Sequence, residues 1–472
     1  MNEELDSGAR MLEVFNAWVK HRNIPPMLWS RHGPVPVVFD LPFIKLGKLF
    51  VSPDFVLSIQ PVLLTAGLVT LLFLWLRKLA SPGMSLLLAL TAAFGTMLWP
   101  YAYIGLETKQ SFLVLLAGYL ALANGKIHGW PRLLFFALIS GLALTVKSTG
   151  IVMWPAFAYL LFVQFRKDWR SRWKELLVSS IVIVVVVAIG AWGRNFFWGP
   201  LGGGVANVLP WTIESPLQLF INAIGQFGSP SKGALVFAPI LLASICALPR
   251  AFREQRDITV FGVLVTAAYL GFMCLIRYGA DEVWGPRYMH IAIAPMVLCI
   301  GAAWPRFEWR KHSPIILLAI IGVMFSFLGA FYYYGVIGGA MEQAGQNTME
   351  WHNGDPSWNV ILFDERIFHV YMKGGSEPVM WTPVHTWVWS PPAGARPWTA
   401  INLRDYSPPQ SFLLRFWREP KSGIMLTVFR MFLFSLIVGP LLMIWTIVRT
   451  VRESSSGHRR SERIGKGGSS PP

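Results

Sequence analysis

The sequence predicts an all-α polytopic membrane protein with about eleven transmembrane helices. Of its 472 residues, 54% are hydrophobic, and the 22 Trp and 32 Phe exceed what the core of a soluble domain of this size requires. Runs of about 20 apolar residues are long enough to cross a hydrocarbon core. Such runs occupy residues 55–76, 176–198, 258–276 and 315–334, and the basic clusters lie between runs, not inside them.

The net charge of +16 comes from 41 Lys and Arg against 25 Asp and Glu. Its location excludes nucleic acid as the expected partner, because the basic clusters fall in short loops on alternating sides of the apolar runs. The positive-inside rule places such loops in the cytoplasm, beside anionic lipid. The clusters are residues 77–78, 166–174, 250–256, 306–311 and 449–466.

With the basic loops in the cytoplasm, eleven spans put the amino terminus outside and the carboxyl terminus inside the inner (plasma) membrane. Several spans are short for a bilayer, so we expect them to be tilted, broken or buried among neighbours. The predicted spans are about 55–76, 84–104, 110–123, 132–146, 149–165, 176–198, 232–249, 258–277, 288–304, 313–335 and 425–448.

Three segments outside the predicted bundle (55–335) and the last span (425–448) have their own character. Residues 1–54 form an extracytoplasmic first loop. Residues 336–424 are too long for a loop of a compact fold, and they contain short strand-like pieces, which predicts a small extracytoplasmic α/β section. Residues 449–472 are polar and basic, as is typical of a disordered cytoplasmic tail.

The first loop begins with an amphipathic pattern that is typical of a helix lying in the membrane interface. Asp6 precedes its first turn, and Pro25-Pro26 ends it. Asp6 has two interpretations, which are not exclusive: an N-cap of the helix, or a water-facing base held at the bilayer surface. Because no span precedes Asp6, we expect either a further span upstream or a short tail that crosses unaided.

Ionisable groups inside or beside spans are costly, and they are therefore candidates for function. Glu107 lies at the outer end of the second span, where it either pairs with Lys109 or acts chemically. Lys147 lies in the apolar sequence GLALTVKSTGIVMWP. It either extends to headgroup phosphate or binds the phosphate of a lipid-linked substrate.

The outer turn RYGADEVWGPRY carries Asp281, Glu282 and Arg287. These charges either neutralise one another or leave Arg287 free to clamp a phosphate. Two weaker candidates for binding substrate or phosphate are Arg194, at the outer end of the sixth span, and His32, in the exposed His-Gly-Pro turn. The three cysteines lie in apolar runs without metal-ligand spacing, so the residues identify no metal site.

Several segments together resemble a family, the GT-C membrane glycosyltransferases. They are the first-loop Asp before an amphipathic helix, the His-Gly-Pro turn, and the sequences PYAYIGLETKQSFLVLLAGYLAL, GLALTVKSTGIVMWP, KGALVFAPILL and VWGPRYMHIAIAP. The bacterial branch related to dolichyl-phosphate-mannose protein mannosyltransferases and aminoarabinose lipid A transferases is the most similar. The resemblance covers most of residues 6–305.

The resemblance implies an inverting enzyme that moves a sugar from a polyprenyl-phosphate donor to a lipid, glycan or protein acceptor at the outer face of the membrane. It assigns Asp6 and Glu107 to catalysis, as base and second acid, and Lys147 and Arg287 to the carrier phosphate. Cations that stabilise a leaving phosphate suit such a reaction. The resemblance leaves a divalent metal open as cofactor.

Two other functions remain open from the sequence. A lipid or sugar transporter or flippase also explains many spans and buried charges without catalysis, although repeat halves are not evident. An inactive scaffold in an envelope-assembly complex is the third, because Asp6 lacks the second acidic residue that many relatives place beside it.

Overall fold

A computed structural model gives the fold. It describes residues 34–50, 53–198 except 104, 124 and 126, 223–228 except 225, 233–276, 286–331 except 307, and the short pieces 379–380, 400–401, 441 and 445.

The described chain is a bundle of helices. They are α1 (Pro34–Phe50), α2 (Pro53–Leu79), α3 (Pro82–Phe94), α4 (Gly105–Gly118), α5 (Trp130–Thr145), α6 (Trp154–Phe165), α7 (Trp173–Trp198), α8 (Ala234–Phe237), α9 (Ile240–Glu254), α10 (Arg256–Ile276), α11 (His290–Ala303) and α12 (Trp309–Phe331). Short 3-10 segments occupy Pro100–Tyr103, Ser148–Met153 and Arg287–Met289, and a π turn, Tyr119–Ala123, continues α4.

Described helical structure occurs within each predicted span between residues 55 and 331. By length and composition, three of the described helices are able to cross a membrane, within Gln60–Leu79, Trp173–Trp192 and Arg256–Cys274. The other apolar helices are shorter. The protein is therefore a helical membrane protein, whereas the count of eleven spans stays a prediction. Helix α1 differs from the predicted loop at residues 34–50, because it contains Pro42, which usually ends a helix.

Proline starts several of these helices. Pro82, Pro131 and Pro155 each stand at the first or second helical position of α3, α5 and α6. A first-turn amide lacks a partner inside the helix, so proline costs nothing there, and its fixed φ suits the helix. The breaks between spans therefore follow from local sequence.

Helix α7 has the most exposed apolar surface of the three described helices that are able to cross a membrane. Only 17% of its apolar segment Trp173–Trp192 is buried. Large apolar side chains cover its outer face, with Val184 and Trp192 64% and 65% exposed. An exposed apolar face of this length would be insoluble in water, but hydrocarbon solvates it.

Small residues let α5 and α7 approach closely, as is common between membrane helices. A Cβ placed on Gly141 of α5 would lie 2.7 Å from the Val186 Cβ. A Cβ on Gly190 of α7 would lie 2.9 Å from Thr145. The two helices therefore pack backbone against side chain, without room for a larger residue at either glycine.

The bundle has two chemically different ends. We call the first of these the basic end. Hydrogen bonds there join Lys78 Nζ to the Ala123 carbonyl, the Ser81 amide to the Pro305 carbonyl, and the Arg172 guanidinium to the Ile127 carbonyl. Arg166 also pairs with Asp257, and Arg250 and Arg306 line one cavity, so the basic loops at 77–78, 166–174, 250–256 and 306 meet at one end. This gathering agrees with the predicted alternation of loops.

The section predicted as α/β, residues 336–424, is not seen as such. Its described residues form only a two-residue antiparallel pair, Val379–Met380 with Ala400–Ile401. The rest of residues 336–424 lies outside the described residues. The α/β section is therefore not supported, and the other domain boundaries stay predictions.

Candidate functional site

Glu107 lies in the first turn of α4, at the end of the bundle opposite the basic end. The 3-10 segment Pro100–Tyr103 leads into this turn, and the Thr108 hydroxyl donates to the Tyr101 carbonyl at 3.1 Å, which fixes the connection. The helix macrodipole favours a carboxylate in a first turn. Glu107 is nevertheless only 1% exposed, so it also needs cationic partners.

Lys147 supplies the first of these partners. It follows α5 in an extended conformation and immediately precedes the 3-10 segment Ser148–Met153. Its ammonium donates to Glu107 Oε1 at 2.5 Å, and the residue is 1% exposed. The alternative in which Lys147 extends to lipid headgroups is therefore wrong, because its side chain points into the protein.

Arg287 supplies the second partner and opens the 3-10 segment Arg287–Met289. Its Nε lies 3.2 Å from the same Oε1 of Glu107, and its side chain keeps 16% exposure. Three separate segments thus bring Glu107, Lys147 and Arg287 together. We call these three residues the ion cluster.

The ring of Tyr288 forms one wall of the ion cluster. The Lys147 Nζ lies 4.2 Å from the ring centre and the Arg287 Cζ lies 5.2 Å from it. Tyr269 stacks on the Tyr288 ring at 6.2 Å between ring centres, and Phe272 meets the ring edge-on at 5.8 Å. Two cations that share one ring gain cation–π attraction where water is largely excluded.

This geometry predicts a graded effect of substitutions at Tyr288. Tyr288→Leu should lower the free energy of unfolding by about 1–2 kcal/mol, because both cations lose the ring. Tyr288→Phe keeps the ring and serves as the matched control, with a smaller expected change. SDS titration in mixed micelles measures both values, and equal losses in the two variants would contradict a role for the ring.

Further polar side chains lie within the apolar interior beside the ion cluster. The Ser111 hydroxyl lies 2.7 Å from His290 Nδ1, and the Tyr101 ring packs on the His290 imidazole at 5.2 Å. The Tyr269 hydroxyl donates to Gln110 Oε1 at 2.9 Å. These partners satisfy polar atoms that water cannot reach, so the ion cluster belongs to a larger buried polar region.

Lys109 does not pair with Glu107, contrary to one alternative from the sequence. Its ammonium contacts Asp40 Oδ1 of α1 at 2.5 Å. Successive helical residues are rotated by about 100° from one another. Residues 107 and 109 therefore face different neighbours, and α1 is tied to α4 by a pair of its own.

The other predicted site residues are not brought to the ion cluster by the described structure. Asp6, His32, Asp281 and Glu282 lie outside the described residues. Arg194 lies within α7, but its side chain is not among those described. Their roles stay predictions.

Sequence reasoning missed Asp40, Tyr288 and His290. Tyr288 and His290 adjoin the predicted Arg287, and His290 contacts Ser111, which lies one helical turn after Glu107. Polar residues spaced four apart in an apolar helix share one face, so this signal was present. Asp40 shows no comparable signal, because it is a single acidic residue in a segment without a clear helical pattern.

The described part of the chain contains no group of three His, Cys, Asp or Glu side chains that could hold a metal ion. The divalent metal implied by the resemblance stays untested. With the residues that are present, the ion cluster can bind an anionic group through Lys147 and Arg287, or exchange such a group with the Glu107 carboxylate.

The comparisons with known proteins give one distant relative. The chain is 23% identical over 239 residues to a WAT1-related protein of Arabidopsis thaliana, which covers 47% of this chain and 68% of the relative. No family model matches the chain. No solved structure matches it either.

These findings correct the resemblance to GT-C glycosyltransferases. The relative is WAT1-related and not a glycosyltransferase, so the predictions of GT-C membership and of an enzyme are wrong. The polyprenyl-phosphate sugar donor is not supported either, whereas the site roles predicted for Asp6 and Glu107 remain untested. The short motifs that carried the resemblance contain mainly apolar residues, glycine and proline, which unrelated membrane helices also share.

Proposed function

We propose that this chain is a membrane transporter whose substrate carries an anionic group that enters the ion cluster. The observation that carries the proposal is the contact of the buried Glu107 with the buried Lys147 and the partly buried Arg287 at one end of an apolar bundle. Ionisable groups at such depth mark substrate or ion pathways by default. The distant similarity to a WAT1-related protein supports a transporter better than a glycosyltransferase.

In this proposal Glu107 holds the cationic site while no substrate is bound. Lys147 and Arg287 both contact its Oε1, so the two cations share one carboxylate. A substrate carboxylate or phosphate offers the same kind of oxygen and competes with Glu107 for the two side chains. An anionic substrate group keeps an anion beside the two cations, which avoids the cost of leaving a buried cation without one.

The topology belongs to the same proposal. The basic end faces the cytoplasm and the ion cluster faces the opposite side, as the positive-inside rule implies. Eleven spans, an external amino terminus, an extracytoplasmic segment at 336–424 and a cytoplasmic basic tail complete it. The protein then resides in the inner (plasma) membrane, where the transported substrate crosses from one aqueous phase to the other.

Counterflow in proteoliposomes tests the proposal. Vesicles preloaded with unlabelled compound are diluted into labelled glutamate, benzoate or glycerol 3-phosphate, with labelled choline as the cationic comparison. We expect protein-dependent counterflow of an anion but not of choline. In Arg287→Gln the counterflow should fall about tenfold or more, because the charge-assisted hydrogen bond from Arg287 to the substrate anion is lost.

Lys45→Gln is the matched control, because it removes one positive charge from an exposed site on α1. It should transport like the unmodified protein. Absence of counterflow for all three anions, or equal counterflow in Arg287→Gln and Lys45→Gln, would overturn the proposal. Circular dichroism and gel filtration in detergent confirm that each variant is folded.

A further inference from the structure

A second polar region lies at the basic end, far from the ion cluster. A cavity of about 510 Å³ opens between the end of α4, the end of α6 and the junction of α9 with α10. Ligand sites commonly have volumes of 300–1,000 Å³. This cavity is therefore large enough for a headgroup or a small phosphorylated compound. Its charged lining residues are Arg166, Lys167, Glu254, Arg256 and Asp257.

One side of the cavity is fixed by ion pairing. Arg166 grips Asp257 with two hydrogen bonds, NH1 to Oδ1 at 3.1 Å and NH2 to Oδ2 at 2.7 Å. The Tyr159 hydroxyl also donates to Asp257 Oδ1, at 2.8 Å. A bidentate pair held by a third group has little freedom. Asp257 is therefore already neutralised, and it does not repel an anion at full strength.

Two cations of the lining are not committed in this way. Lys167 and Arg256 are exposed, and neither has a carboxylate partner among the described residues. Arg256 is the first residue of α10, a helix of 21 residues, so the positive end of its macrodipole meets the cavity as well. Both features favour an anion at this wall.

The side-chain amide of Gln164 lines the cavity, and its oxygen and nitrogen are both hydrogen-bonded. Gln164 is buried, and its Oε1 accepts from the Ile127 amide at 2.8 Å, while its Nε2 donates to the Ala121 carbonyl. Gln164 therefore shapes the cavity without offering a free donor. The remaining charged group is the exposed Glu254, at the end of α9, which opposes an anion.

We infer that this cavity binds a phosphate group, with Arg256 and Lys167 as its ligands. Arg presents a fork that matches two phosphate oxygens, and Lys adds a compact charge. A phosphate near the bilayer surface comes from an anionic lipid headgroup or from a soluble phosphorylated compound, and the chemistry of recognition is common to both. The inference does not depend on the transporter proposal, since it uses the other end of the bundle.

Native mass spectrometry of the purified full chain tests the lipid source. The protein is exchanged into detergent that contains either phosphatidylglycerol or phosphatidylcholine, and retained lipid is counted. Phosphatidylglycerol should be retained preferentially, and the Lys167→Gln/Arg256→Gln double variant should reduce its retention at least about fivefold, the scale of two exposed charge contacts. Glu254→Gln should increase it, because a repelling carboxylate is removed.

Isothermal titration with inorganic phosphate tests the soluble source, on the same protein in phosphatidylcholine. The matched control for both arms is Arg253→Gln/Lys174→Gln, which removes two exposed charges from the basic end outside the cavity lining. Loss confined to the cavity variant in either arm supports the inference and identifies the source. Equal loss in the control variant, or no phosphate-dependent signal in either arm, overturns it.

Discussion

Glu107→Gln should lower the free energy of unfolding by about 3–5 kcal/mol, one of the two largest effects expected in this protein. The substitution keeps the shape of the side chain but removes its charge. Lys147 and Arg287, which both contact Glu107 Oε1, then face each other without that carboxylate in a buried site. Mutual repulsion and the cost of an unneutralised buried cation act in the same direction.

The matched control is Glu175→Gln. Glu175 pairs with Arg172 at the basic end, but 29% of its side chain is exposed, so the loss should stay below about 1 kcal/mol. SDS titration in mixed micelles gives both values. If Glu107→Gln is no less stable than Glu175→Gln, the ion cluster is not held together as described.

A double variant separates charge from packing. Glu107→Gln/Lys147→Met removes one cation together with the carboxylate, so it should recover part of the stability lost in Glu107→Gln alone. Recovery would show that the loss is electrostatic. A double variant less stable than the single one would instead point to lost packing around Lys147.

Gly322→Ala should have the second large effect, about 1–3 kcal/mol of destabilisation. A Cβ on Gly322 of α12 would collide with the Gly95 carbonyl oxygen and lie 3.1 Å from the Gly95 Cα at the end of α3. These neighbours are backbone atoms, which cannot rotate away as a side chain can. The two helices must therefore separate to admit even one methyl group.

Gly271→Ala in α10 is the control for this prediction. A Cβ there would meet nothing within 4 Å, so alanine should be neutral or stabilising by about 0.5–1 kcal/mol through its higher helix propensity. Measured by the same titration, a Gly322→Ala variant as stable as Gly271→Ala would contradict the close approach of α12 and α3.

The sequence predicted the helical bundle well, because its signals are local. Apolar runs and basic loops each depend on a few neighbouring residues, and described helices follow them up to residue 331. The same local reading placed Glu107, Lys147 and Arg287 at one end of the bundle. Their convergence on one carboxylate oxygen is a matter of packing between distant segments, which spacing along the chain does not encode.

The functional interpretation failed for a related reason. Short apolar motifs with single charges arise wherever a polar group must be placed at the end of a membrane helix. Such motifs describe a physical situation shared by enzymes and transporters, so they discriminate poorly between them. Asp40 illustrates the opposite limit, since nothing in the pattern around it indicated a helix or a contact with Lys109.

The three 3-10 segments give the end that holds the ion cluster a different local backbone structure from the basic end. Glu107 follows one of them, Lys147 precedes the second and Arg287 begins the third. A 3-10 turn has poorer hydrogen-bond geometry than an α-turn, and it unwinds or tightens at small cost. Each charge thus lies in or beside a short 3-10 segment, whereas the other end is joined by hydrogen bonds between neighbouring elements. A change confined to these segments would move the charges without repacking the helices behind them.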